Sequence, residues 1–354
     1  MKKLPVTPKP QTWYRKELAG AMASNGSPYN VTFKKGTVNK LLVFFIGGGA
    51  SWNEETAMQP MSLSAMLMKK DCYYIPYLPN VQLGLLHVGF LSPKADRNPF
   101  KDWHILTLPY STADFHLGNN KFNYQNTKTL HHSGAKNVDK ALEFLKTVVP
   151  NDIDNLVIAG VSAGGFGCAA HAPKIATMFP RCENIVVYVE GSYLKFDQWP
   201  AVAKNVWQVE KELLAAIVSD DMIADLLTYA NDKMPKITTF LHAVTVWDDT
   251  LIKFMNKMKY DKLAITDEGR MYFHDNLIKT VATLKNKIPN YHYYLTDYGK
   301  KKNGTTAHMF SSSAKLLYGK LEDDTSIADW VTRAIDKQPF NVGQKFLQHA
   351  TKED

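Results

Sequence analysis

Ser162 stands in Gly160-Val161-Ser162-Ala163-Gly164, behind the apolar run Leu156-Val157-Ile158-Ala159 and ahead of Gly165-Phe166-Gly167-Cys168-Ala169-Ala170. An apolar strand, a sharp turn and a helix of small residues are what a nucleophile elbow needs, because the serine must sit on a strained bend with its hydroxyl exposed. Glycines two before and two after the serine remove the Cβ atoms that would collide in so close a turn. A serine hydroxyl is a poor nucleophile near neutral pH and needs a base, and the base needs an orienting group. His308, in Ala307-His308-Met309-Phe310, suits the base, and Asp248 and Asp249, in Trp247-Asp248-Asp249-Thr250, compete for the carboxylate. Their order along the chain, serine then acid then histidine, is one of those in which such a triad occurs. The bland alternative is a glycine-rich turn with an incidental serine, and Asp249 read alone is a helix cap.

A second glycine run points to the same chemistry. Leu41–Ile46 is six apolar residues in a row and ends on Gly47-Gly48-Gly49-Ala50-Ser51-Trp52. Backbone N–H groups of Gly49 or Ala50, together with that of Ala163, are placed to bind the oxyanion of acyl transfer. A phosphate-cradling loop fails in detail, since no Gly-Lys-Ser/Thr follows and no G-x-G-x-x-G can be read. Trp103–Tyr110 reads as a strand stopped by Pro109, with Asp114 and His116 at its carboxyl end, where open α/β sheets bind ligands. Asp114, His116 and Trp52 are therefore candidate substrate-binding residues. Adjacent His131 and His132 carry no carboxylate at ligand spacing, and neighbours in sequence point apart, so no metal site is expected.

These residues need a sheet to carry them. Tyr29–Phe33 alternates like an antiparallel entry strand. Leu41–Ile46, Trp103–Tyr110, Leu156–Val161, Asn184–Val189, Lys236–Val246 and Tyr291–Leu295 read as central strands, several apolar on both faces as parallel strands are. Ala135–Val148 and Met271–Ile288 have helical spacing between them. Val206–Leu227 is helix-patterned, and residues 195–235 are expected to form a helical lid within a single domain over 1–354. The methionines of Met58–Met68 read as adaptable core filling. The fold expected is α/β, an α/β-hydrolase with a mostly parallel central sheet and helices on both faces.

Composition narrows the class. The 354 residues are 45% hydrophobic and 21% charged, with a net charge of +8, which excludes a disordered chain. The longest apolar run is far too short to span a bilayer, and a net positive charge of this size is ordinarily a solvated lysine-rich face. Three widely spaced cysteines, Cys72, Cys168 and Cys182, argue against a disulfide framework. No apolar stretch follows the basic start, so a cytoplasmic location is expected, or a secreted one if a leader has been removed.

The chain resembles the pectin acetylesterase / Notum-like family of α/β-hydrolase carboxylesterases. The likeness is carried by Gly26-Ser27-Pro28-Tyr29, Lys40–Trp52, Pro109–Gly118, His131–Asn137, Leu156–Gly165, Trp247–Asp249 and His308. Carried over by position, the resemblance implies Ser162 as nucleophile, His308 as base, Asp248 rather than Asp249 as the acid, and Gly49, Ala50 and Ala163 as oxyanion donors. Where the family often has cysteines this chain has Ser51, Ala57 and Ser111, so the family's disulfides are absent, which suits a reducing compartment. The resulting expectation is a serine carboxylesterase without metal or cofactor, acting on a small-molecule or carbohydrate ester, an O-acetylated carbohydrate first. The alternatives are an esterase for longer acyl groups and a hydrolase-fold binding protein without turnover. No nucleic-acid or membrane partner is expected, and the oligomeric state is not legible.

Overall fold

The computed structural model describes residues 1–347 apart from 69, 94, 95 and 126. Ten strands occur among them: β1 (Trp13–Met22), β2 (Pro28–Lys34), β3 (Lys40–Phe45), β4 (His104–Leu108), β5 (Asn120–Tyr124), β6 (Lys128–His132), β7 (Asn155–Val161), β8 (Ile185–Glu190), β9 (Thr239–Thr245) and β10 (Tyr291–Thr296). Eight form one sheet in the order β1-β2-β4-β3-β7-β8-β9-β10, and β5 and β6 pair as a separate hairpin. The pairs β1–β2 and β2–β4 are antiparallel. Every pairing from β4 through to β10 is parallel. The carboxyl ends of β3, β7, β8, β9 and β10 therefore rise to one edge, which is where an open α/β sheet holds its ligand.

Alternation along the central strands divides the interior. Leu41, Val43 and Phe45 of β3, and Leu156 and Ile158 of β7, face a large core shared with the helices Gly134–Leu145, Ala163–Ala176, Met222–Lys233, Asp249–Tyr260 and Asp267–Lys287. Leu42 and Phe44, with Val157, Ala159 and Val161, face a smaller core closed by Trp330 and Val331 of the helix Ile327–Ile335 and by Phe90, Phe100 and Trp103. Strands buried on both faces need such continuous apolar runs. The mostly parallel sheet with helices on both faces is the fold read from the sequence.

Three expectations change. β1 and the hairpin β5–β6 lie where no strand was expected. The pairing of β1 shifts register between Glu17 and Met22, which blurs its period of two, and β5 alternates only between half-buried and exposed residues, with no fully buried face to mark it. Met58, Met61 and Met68 are 40%, 41% and 64% exposed instead of filling the core; the side chain of Met66 lies outside those described. The segment 195–235 breaks into Trp199–Ala201, a wide turn over Val202–Trp207, and the helices Lys211–Ala216 and Met222–Lys233. The last of these buries Ile223, Leu226, Leu227 and Ala230 in the larger core beside the helix Ala163–Ala176. That helix is part of the wall beside the sheet, whereas Phe196, Trp199 and Trp207 of the same segment pack against Trp52 and Phe115 of the loops at the sheet's carboxyl edge.

A packed helix and a lid differ in what truncation costs. Leu227 is 1% exposed, so Leu227→Ala is expected to lower the free energy of unfolding by about 2–5 kcal/mol, measured by urea denaturation. A loss below about 0.5 kcal/mol would contradict the packing described.

Candidate active site

The backbone at Ser162 sets the site. β7 ends at Val161 and the helix Ala163–Ala176 begins one residue later, with Ser162 between them at φ 53° and ψ −129°. That region is sparsely populated for a residue with a Cβ and costs on the order of 1–3 kcal/mol. Two hydrogen bonds hold it there. The Ser162 N–H donates to the Glu190 carbonyl at 2.8 Å, and the Ser192 hydroxyl donates to the Ser162 carbonyl at 2.6 Å. Close approach explains the flanking glycines: a Cβ on Gly160 would run into the carbonyl of Gly164, and one on Gly164 into that of Phe45.

Asp248 lies three residues beyond β9 and is fully buried. Its Oδ1 accepts the N–H groups of Thr250 at 3.0 Å and Leu251 at 2.9 Å. It thereby caps the helix Asp249–Tyr260 and satisfies two of the donors that a helix start leaves open. Its Oδ2 faces His308 Nδ1 at 2.8 Å. Asp249 turns the other way, to Lys301, so the choice left open between the two aspartates falls geometrically on Asp248. The loop bearing His308 is tied down on both sides. Thr306 N–H donates to the Trp247 carbonyl at 2.8 Å, and Thr245 Oγ1 donates to the Ala307 carbonyl at 3.0 Å.

Burial pushes the Asp248 carboxyl up, against the pull of His308 and the Leu251 N–H. Burial alone would make His308 less basic; the charge and hydrogen bond of Asp248, with Asp249 and Glu190 farther off, outweigh it and leave the imidazole above its ordinary pKa. Its Nε2 has no hydrogen-bond partner among the described residues. Ser162 and His308 line one cavity of about 280 Å³. A base with a free nitrogen, oriented by a carboxylate on the other, beside a serine on a strained turn, can take up and return the serine proton.

Gly47, Gly48, Gly49 and Ala163 also line the cavity. The N–H of Ala163 is the first of its helix and has no partner one turn back. Ala50 departs from expectation. Its N–H donates to the Tyr73 carbonyl at 2.8 Å, so it is spent and cannot serve an oxyanion. Ile75 N–H donates to the Gly48 carbonyl at 2.9 Å, which pairs the glycine loop with Tyr73–Ile75 as a short antiparallel bridge. Gly49 takes φ 82°, and a Cβ there would run into the Tyr73 carbonyl. The bridge turns Gly48 and Gly49 toward the cavity and Ala50 away from it.

The three expected substrate contacts lie behind the cavity wall. Asp114 is wholly buried and accepts from Thr112 Oγ1 at 2.6 Å, His116 N–H at 3.1 Å and Gly134 N–H at 2.8 Å. Burial pushes its pKa up to about 7, against these donors. Burial drives His116 down to about 3, so the ring is neutral and its Nε2–H donates to the Ile46 carbonyl at 2.9 Å, just before the glycine loop. Trp52 packs against Tyr73, Phe196 and Phe254. All three residues support the site without facing it. The residues that do face it include Phe115, between the two expected ones, and Met61, Tyr73, Ile75, Phe254 and Met309. Nothing in their types marks them as pocket residues, since apolar side chains in loops read alike wherever they go.

A family model described as pectinacetylesterase matches residues 11–267, and the chain belongs to that family, whose members are carboxylic ester hydrolases. No curated protein matches the chain. Among solved structures it is similar to the Wnt deacylase Notum from Drosophila, at 14% sequence identity and a TM-score of 0.60, over 91% of this chain and 92% of that one. At that identity the likeness is one of fold.

The ion pair predicts a titration. In Asp248→Asn the pKa of His308, followed by NMR of its ring protons, is expected to fall, because the nearest negative charge that raises it is gone. Asp249→Asn is expected to lower it less. The reverse order would contradict the contact described.

Proposed function

We propose that this chain of the pectinacetylesterase family is a serine carboxylesterase in which Ser162 is the nucleophile, His308 the base and Asp248 the orienting acid. The observation that carries this reading is the 2.8 Å contact between His308 Nδ1 and Asp248 Oδ2, with His308 Nε2, in the cavity that Ser162 lines, unpartnered among the described residues. Ser162 Oγ bonds to the ester carbonyl carbon as His308 Nε2 takes its proton. The negative charge that develops on the carbonyl oxygen is met by N–H groups of Ala163 and of Gly48 or Gly49. Collapse breaks the bond to the alkoxy oxygen, which leaves as the alcohol with the proton from His308. Water then gives its proton to His308 and attacks the acyl-enzyme, and the carboxylic acid departs as Ser162 regains its proton. Asp248 stabilises the imidazolium in both halves.

The acyl group separates two readings. Family membership supports a small O-acyl ester, an acetyl ester of a carbohydrate first. The cavity favours a longer chain. Its walls are almost wholly apolar, including Ile75, Phe115, Phe166, Leu251, Phe254 and Met309, and a buried methylene gains about 0.8 kcal/mol where it is sheltered from water.

A fluorophosphonate is expected to label the native chain and not Ser162→Ala; absence of labelling on folded protein would sink the enzyme reading in favour of an inert binder. In Asp248→Asn a loss of about a thousandfold or more in kcat is expected. On p-nitrophenyl esters, kcat/KM is expected to rise roughly fourfold per methylene from acetate to hexanoate if the cavity takes the chain. A maximum at acetate would decide for the acetylesterase.

A further inference from the structure

Glu190 is fully buried at the carboxyl end of β8, and the mechanism above makes no use of its side chain. It touches both halves of the site. Its main-chain carbonyl accepts the Ser162 N–H at 2.8 Å and the Ser192 hydroxyl at 3.0 Å. Its carboxylate reaches the histidine loop: Oε1 accepts the Ser311 N–H at 2.9 Å and the Ser311 hydroxyl at 2.8 Å. Oε2 accepts the Tyr188 hydroxyl at 2.6 Å. Between them, Gly191 takes φ 57°, and a Cβ there would come within 2.8 Å of the His308 carbonyl and 3.5 Å of its ring. The stretch Glu190-Gly191-Ser192 thus passes directly under His308 while holding Ser162 by its N–H and by its carbonyl.

The partners of the carboxyl group favour its ionised form. A backbone N–H can only donate, so the oxygen facing Ser311 must accept, and the hydroxyls of Ser311 and Tyr188 both point hydrogens at the group. Burial, the largest influence, raises the Glu190 pKa above the ordinary carboxylate value, and the donors from Tyr188, Ser311 and Phe310 hold that rise back. The acidic groups whose charge raises His308 are Asp248, in direct contact, then Asp249, which itself turns to Lys301, and Glu190 from β8.

We propose that Glu190 is a positioning residue of the reaction, whose buried carboxylate clamps the His308 loop through Ser311 and supplies a second negative charge to the base, while its main chain clamps Ser162. The proposal rests on the reading of Ser162, His308 and Asp248 as a triad. Loss of the charge makes His308 a weaker base, so the acid limb of activity must move to lower pH. Loss of the clamp lowers turnover without touching the cavity that binds substrate.

The test is the pH profile of kcat/KM on p-nitrophenyl butyrate for the wild type, Glu190→Gln, Glu190→Asp and Ser162→Ala. Glu190→Gln is expected to move the acid limb down by about one pH unit and to lower kcat about tenfold with KM within twofold. Glu190→Asp, which keeps the charge, is expected to restore the limb. A Glu190→Gln profile that overlays the wild type, with Ser162→Ala inactive, overturns the role of Glu190 and leaves the triad standing. Activity retained in Ser162→Ala overturns both. Should Glu190→Gln not fold, Ser311→Ala removes one of the donors to the carboxylate. It is expected to move the limb the same way by less, and an unmoved limb there overturns the proposal.

Discussion

The arrangement depends on keeping one residue in a backbone conformation that it would not adopt alone. Ser162 at φ 53° is held by bonds to its N–H from one side and its carbonyl from the other, and both come from the end of β8. Parallel pairing makes this possible, because β7 and β8 deliver their carboxyl ends to the same edge with Val161 opposite Glu190. The strain is met by packing that is itself rigid: glycines let β3, β7 and the first turn of the following helix meet backbone against backbone. A bend held this way needs little reorganisation when a substrate arrives, and reorganisation is what electrostatic catalysis must avoid.

The Asp248–His308 pair is built on the same plan. Asp248 is a helix cap first: one oxygen completes the start of the helix Asp249–Tyr260, which leaves the other fixed in direction toward His308. A carboxylate doing both tasks has little rotational freedom left. Its burial, costly for an isolated charge, is offset in part by two backbone N–H groups and an imidazole. The loop that carries His308 is fastened at Thr306, Ala307 and Ser311. Ser162, Asp248 and His308 come from three different strand ends, and short hydrogen bonds tie those ends together.

Much of this was legible in the sequence, and the reasons are physical. Glycine spacing around Ser162 and the apolar runs that become β3 and β7 are local signals, so the elbow and the central strands could be read directly. The choice between Asp248 and Asp249 stayed open until the resemblance and then the contact with His308 fell on the first. Ala50 was misread because the direction of its N–H is set by Tyr73, more than twenty residues on, and no local pattern records that pairing. Asp114 and His116 were placed in the pocket for their chemistry, yet Asp114 gathers the donors of its own loop and His116 supports Ile46. The apolar pattern of Val206–Leu227 marks a buried face without telling against what it is buried. The true walls, Phe115, Tyr73 and Phe254, are ordinary aromatic residues whose position only the folded chain gives.

The bridge between the glycine loop and Tyr73–Ile75 joins two things that would otherwise vary separately. Gly48 and Gly49 lie where the reacting carbonyl would be polarised, whereas Tyr73 and Ile75 help shape the space beyond it. Bonded as they are, the two segments form one piece. A substitution that widens or narrows the cavity from this side would also tilt the glycine N–H groups. Change in acyl preference is thereby steered to side chains that belong to neither segment, such as Phe115 and Leu194, whose volume can drift without moving the glycine N–H groups.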